Sequence, residues 1–170
     1  MNDLPADLLE LAKEVLGAAK AQKKRIVTAE SCTGGLLGAC LTAMAGSSDV
    51  MDCGFITYSN ESKSRLLGVP RDAIADHGAV SDLVASAMAE GALAQTSADM
   101  AVSITGIAGP GGGTKEKPVG LVYMALAHVG RDALVKRYVF AGTRSDVRRA
   151  ATGAAMELLL STLKEEAAAD

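Results

Sequence analysis

Two β-leaning runs near the C-terminus, Val119 to Val129 and Ala133 to Phe140, are separated only by Gly130-Arg131-Asp132. So short a connection joins antiparallel neighbours in a hairpin. The earlier β-leaning runs, Ile26 to Ala29, Cys53 to Tyr58 and Ala98 to Ile104, are instead separated by stretches with helical periodicity. The resulting order, α-β-α-β-α-α-α-β-β-β-α, predicts an α/β fold, a three-layer α/β/α sandwich with a central mixed sheet. A chain of 170 residues fits one domain, taken as residues 1–165, with a frayed tail over 166–170.

Local signals set the element boundaries. Leu8, Leu11, Ala12, Val15, Leu16 and Ala19 recur at helical spacing between Leu4 and Gln22. A small-residue helix is expected from Leu36 to about Ala45. Ser59 is placed to cap a short helix through Lys63 to Leu67, which Gly68-Val69-Pro70 ends. Pro70 to His77 reads as a further short helix, and Ser81 caps a longer one to about Gln95, with Leu83, Val84, Ala87 and Met88 on its apolar side. Thr143 to Asp146 resembles a capping box opening a last helix buried through Val147, Ala150, Ala151, Ala154, Leu158 and Leu159. Lys164 to Asp170 is expected to fray.

Composition narrows the partners. With seventeen Lys plus Arg against twenty Asp plus Glu, the net charge of −3 lacks the positive excess of a nucleic-acid binder. Met1 to Pro5 has no basic run before an apolar one, and the longest apolar stretch, Gly34 to Gly46, is too short to span a bilayer. A cytoplasmic protein with no membrane partner is expected. The three cysteines, Cys32, Cys40 and Cys53, are odd in number and form no CxxC pair, and only His77 and His128 could join them, so neither a metal nor another cofactor is expected. Eighteen glycines against 3% aromatic residues favour recognition by backbone over stacking.

Three turns gather the groups capable of chemistry. Ser31 lies between a strand end and a helix start, where the amides of Cys32, Thr33, Gly34 and Gly35 and the positive end of the helix dipole suit an oxyanion. The plainer reading is that Ser31 or Thr33 caps the helix. Lys63, near the start of its own helix, is a candidate base whose pKa the dipole would lower; it reads equally as a solvated surface lysine. Tyr58 either assists that pair or ends its strand with the ring in the core. Cys32 is a competing nucleophile or a packing residue, and His77 either lines the site or is structural. Thr105 to Pro118, with five glycines, fits neither a Walker A loop nor GxGxxG, yet its amides can form a phosphate nest, with Lys115 or Lys117 adding charge. Arg144 and Arg148, one turn apart, are candidate anion clamps.

Five ordered blocks carry a resemblance across nearly the whole chain: Thr28 to Gly35, Gly54 to Asn60 with Lys63, His77 to Ser81, Ser103 to Pro110, and Lys117 to Gly120. Together they resemble the CinA C-terminal domain family. The resemblance implies a nicotinamide-nucleotide amidase, converting nicotinamide mononucleotide to nicotinate mononucleotide and ammonia in pyridine-nucleotide salvage. It makes Ser31 the nucleophile and Lys63 its base, with Tyr58 assisting and Glu30 orienting the site. Thr105, Gly106, Gly109, Gly111 and Gly112 would contact the nucleotide with Arg144 or Arg148. Phe140 to Arg144 departs from the family's last arginine motif, with Thr143 in place of its acidic residue. The resemblance also implies a stand-alone amidase, without the N-terminal molybdopterin-binding-like domain of longer members, and a homodimer. A nucleotide-binding regulatory module without turnover and a pure scaffold are the alternatives.

Overall fold

The computed structural model describes residues 4–169. Met1 to Asp3, part of the start read above as lacking a leader, and Asp170 of the tail lie outside them. The elements follow the predicted order: α1 (Ala6–Ala21), β1 (Ile26–Glu30), α2 (Leu36–Thr42), β2 (Met51–Ile56), α3 (Asn60–Leu67), α4 (Arg71–His77), α5 (Asp82–Ala94), β3 (Met100–Gly106), β4 (Leu121–His128), β5 (Arg131–Val139) and α6 (Arg144–Ala169).

The five strands form one mixed sheet in the order β2-β1-β3-β4-β5. β1 runs parallel to both β2 and β3, while β4 runs antiparallel to both its neighbours, β3 and β5. Alternating residues of the interior strand β1 serve two cores: Ile26 packs with α1, α2 and α6 on one face, whereas Val27 and Ala29 pack with α3, α4 and α5 on the other. Both faces are covered, which is the three-layer α/β/α arrangement.

Several predicted caps are present as bonds. Ser59 Oγ accepts from Ser62 N at 3.1 Å and Ser81 Oγ from Val84 N at 3.3 Å. At the start of α6, Asp146 Oδ2 accepts from Thr143 N at 2.8 Å and Thr143 Oγ1 from Asp146 N at 3.3 Å, a reciprocal box that fixes where Arg144 and Arg148 emerge.

Other boundaries move. α2 stops at Thr42, and a single 3₁₀ turn, Ser47–Asp49, leads into β2. Leu83 is exposed, because α5 turns Val84, Ala85, Met88, Ala89 and Ala92 inward instead. The expected fraying at Lys164 is corrected: α6 continues to Ala169, through a run of good helix formers. Glu166 Oε1 ties it to the β4–β5 hairpin, 3.1 Å from His128 Nε2 and 3.0 Å from Arg131 Nη1.

Candidate active site

Ser31 follows directly on the carboxyl end of β1, the place where parallel α/β sheets present ligand-binding groups. Its N–H donates to Ile104 O at 2.9 Å, and Thr57 N–H donates to Glu30 O at 2.9 Å, so the ladder continues one residue past β1 on both sides. The nucleophile candidate is therefore held by the sheet and not by a loose turn. Its side chain neither caps α2 nor is spread into solvent; Ser31 is 8% exposed.

Lys63 reaches the same point from α3. It is 1% exposed, and its Nζ lies 3.0 Å from Ser31 Oγ, 2.7 Å from Thr57 O and 3.5 Å from Tyr58 O. No ion pair among the described residues involves it. A buried ammonium without a carboxylate is disfavoured, and burial lowers the Lys63 pKa from 10.5 to about 8, the charge that Cys32 carries when ionised acting in the opposite direction. Burial is thus the main cause, in place of the helix dipole expected from the sequence. When Lys63 is neutral, two N–H bonds can serve the Thr57 and Tyr58 carbonyls while the lone pair faces Ser31 Oγ.

Burial raises the neighbouring Cys32 thiol from 9.0 to about 11. Its position before a helix does not activate it, and at neutral pH it remains a thiol.

Glu30 changes the expected oxyanion geometry. Its buried carboxylate accepts from Thr33 Oγ1 at 2.6 Å, Gly35 N at 3.0 Å and Leu37 N at 3.1 Å through Oε2, and from Gly38 N at 2.8 Å through Oε1. The start of α2 is therefore neutralised from within by a side chain that acts as its cap. Gly34 N–H closes a turn on Ser31 O at 3.0 Å. Of the four amides proposed from the sequence, Gly34 and Gly35 are engaged, and those of Cys32 and Thr33 are committed to none of these acceptors. The left-handed φ values of Gly34 (60°) and Gly35 (93°) let the chain turn back over the Glu30 carboxylate.

A cavity of about 260 Å³ opens over Ser31 and Lys63. Thr105, Gly106, Gly109, Gly111 and Gly112 line it together with Tyr58 and Arg144, so most of the sequence-derived set converges. Asn60, Ala79 and Val80 also line it, as do Ile107 and Ala108. Asn60 and the 79–80 pair lie within two of the quoted blocks, but no spacing argument singled them out. Gly106 is required by close approach: a Cβ there would stand 2.7 Å from Val122 Cγ2 and 3.1 Å from Cys32 Sγ. Among the described residues, the amides of Gly111, Gly112 and Gly113 have no intramolecular acceptor, which leaves donors for an anion.

Other expected ligands have different partners. Tyr58 is 60% exposed, neither in the core nor on the Ser31–Lys63 pair, and its hydroxyl accepts from Arg144 Nη2 at 2.8 Å. Arg144 Nη1 donates to Gly109 O at 2.9 Å, closing a bridge from β2's end through α6 to the glycine loop. Arg148 does not line the cavity; its Nη2 donates to Thr33 O at 2.8 Å and braces the serine turn. The Thr105 hydroxyl donates to Ala79 O at 2.8 Å. Lys117 is engaged by the His77 carbonyl, and neither Lys117 nor the two histidines line the cavity. Among the described residues, no three His, Cys, Asp or Glu side chains gather as a metal site, and no helix is long and apolar enough to cross a membrane.

The family model for the CinA C-terminal domain matches residues 8–163. The chain belongs to the CinA C-terminal domain family. It is 47% identical over 154 residues to the nicotinamide-nucleotide amidohydrolase PncC of Escherichia coli K12, covering 91% of this chain and 93% of that protein. A CinA-like protein of Leptospira biflexa is 51% identical over 143 residues, 84% of this chain but 34% of its own length, so the CinA domain also occurs within longer chains. The crystal structure of the competence/damage inducible protein CihA from Agrobacterium tumefaciens superposes with a TM-score of 0.92 at 42% identity, covering 96% of this chain and 99% of that one.

Proposed function

We propose that this protein is a nicotinamide-nucleotide amidohydrolase that converts nicotinamide mononucleotide to nicotinate mononucleotide and ammonia by a Ser31–Lys63 mechanism. The observation that carries the reading is the buried contact of 3.0 Å between Lys63 Nζ and Ser31 Oγ, with no carboxylate paired to the lysine. The E. coli relative named for this activity supports the substrate class. Neutral Lys63 accepts the Ser31 proton as Oγ attacks the carboxamide carbon. The Cys32 and Thr33 amides are the donors best suited to the resulting oxyanion. Lys63 then returns the proton to the amide nitrogen, the C–N bond breaks and ammonia leaves an acyl-enzyme. Water, deprotonated by the same lysine, adds to the acyl carbon; the bond from that carbon to Oγ breaks, Lys63 returns the proton to Ser31 Oγ, and the product acid leaves as the carboxylate, its proton passing to solvent.

In this reading Arg144 and the amides of Gly111 to Gly113 hold the phosphate, while Tyr58 orients Arg144. The protein works as a homodimer, on the strength of family resemblance, and in the cytoplasm, in keeping with its free Cys32, Cys40 and Cys53, and needs no cofactor for these steps. Ammonia release from nicotinamide mononucleotide is the test. Wild type releases it, Ser31→Ala and Lys63→Ala lose it by at least about 10³-fold while remaining folded, and Cys32→Ala keeps it. Tight binding without ammonia would favour a regulatory module, and neither binding nor ammonia a scaffold.

A further inference from the structure

Glu30 also forms part of the wall of a second cavity, of about 460 Å³, which shares no lining residue with the first. It lies between α2 and the edge strand β2, and it exists because side chains are missing there: Gly35, Gly38 and Gly54 all border it. A Cβ on Gly54 would stand 3.1 Å from Thr28 Oγ1, and one on Gly38 would stand 3.8 Å from the same atom. The Thr28 hydroxyl therefore faces this space. Thr28 is 1% exposed, yet its hydroxyl oxygen has no hydrogen-bond partner among the described residues. A buried polar group in that condition calls for a partner from within the cavity.

The available groups define what that partner brings. Glu30 Oε2 already accepts three bonds, but Oε1 accepts only that from Gly38 N and retains capacity for another donor. Ile56 and Met51 supply apolar walls, and Ser47 and Ser48 also line the space. Asp52, also in the wall, is paired with Arg25 at 2.8 Å. No lysine or arginine is among the described lining residues, and Glu30 and Asp52 present acceptor oxygens, so the phosphorylated substrate proposed for the first cavity finds no cationic partner in the wall of the second.

We propose that this cavity is a second ligand site for a small neutral molecule with a flat apolar body and a terminal primary carboxamide. Its N–H group donates to Glu30 Oε1, and its carbonyl accepts from the Thr28 hydroxyl.

The test titrates the isotopically labelled full chain with benzamide as probe and benzoate as control, reading backbone amide resonances. The expected result is saturable shifts at Gly35, Gly38, Gly54 and Ile56 with benzamide and none with benzoate. Thr28→Val weakens benzamide binding about fivefold, as the loss of one hydrogen bond implies, and leaves ammonia release unchanged. Gly38→Leu, which fills the space from the helix side, abolishes the shifts. The proposal is overturned by shifts confined to residues around Ser31 and Arg144, by equal binding of benzoate, or by indifference to Thr28→Val. It is equally overturned by an absence of saturable binding, including a case where sedimentation reveals a dimer that buries Ile56 and covers the cavity. Because the readout is binding, it stands or falls separately from the amidase reading.

Discussion

A Cβ on Gly91 would stand 1.8 Å from the carbonyl oxygen of Leu67. Helix α5 thus meets the last turn of α3 backbone against backbone, and α3 is the helix that carries Lys63 one turn earlier. The depth at which the lysine lies is set by a residue with no side chain. Gly91→Ala should force the helices apart, destabilise the fold by about 1–3 kcal/mol, and lower kcat by withdrawing Nζ from Ser31. Urea unfolding and turnover on the same preparation check both effects; a variant as stable and active as wild type would refute the argument.

Lys63 predicts two pH dependences. In its proposed role as base it must be neutral, so kcat/KM should rise about tenfold per pH unit below a pKa near 8 and level off above it. The stability effect has its own sign: the folded pKa, about 8, lies below the unfolded value of 10.5, so between them the unfolded chain binds more protons. Stability should therefore increase as pH rises through that window, by at most about 3–4 kcal/mol from this group. Lys63→Met, inactive but folded, should show a flatter dependence over the same range in denaturant titrations. Equal slopes for the two proteins would remove the case for a depressed lysine.

Glu30 takes four donors inside the protein. Glu30→Ala orphans the start of α2 and should lower stability by about 3–5 kcal/mol, in the range seen when one partner of a buried charged network is removed. Glu30→Gln keeps the size but turns an NH₂ group towards backbone N–H donors, so partial recovery of stability is expected, with kcat still reduced. Thermal unfolding and steady-state kinetics separate these outcomes.

The two arginines should part company kinetically. Arg144, on the cavity wall, should chiefly raise KM when changed to Ala, by about tenfold or more, the scale of one hydrogen bond to a charged group. Changing Arg148, on the Thr33 carbonyl, to Ala should chiefly lower kcat, because it braces the turn that carries the proposed nucleophile. Arg148→Lys should restore part of that kcat, whereas a KM effect from Arg148 alone would assign it to the substrate.

Most of the architecture was legible because it rests on local signals. The short Gly130 turn enforces an antiparallel pair, Ser59, Ser81 and Thr143 mark helix starts, and the apolar stripe of α1 buries Leu8, Ala12, Val15, Leu16 and Ala19. Ser31 and Lys63 were legible as candidates, and their contact is a tertiary fact that no local pattern encodes. What escaped depends on long-range partners. Nothing near Glu30 in sequence announces that it will engage the amides beside it, and Arg144 and Arg148 look equivalent until their partners 35 and 115 residues away are known. The tail was misjudged for the same reason, since Glu166 is anchored by residues of a distant hairpin.

The internal neutralisation of α2 would give the proposed cleft a direction. A bare helix start beside Ser31 would attract any anion, including the phosphate of the proposed substrate, and would invite it to lodge with its amide remote from Ser31. With Glu30 already occupying that end, the uncommitted amides of Gly111 and Gly112 and the Arg144 guanidinium are what the cavity offers a phosphate, and under the proposed function this difference between its two ends favours one orientation of the bound nucleotide.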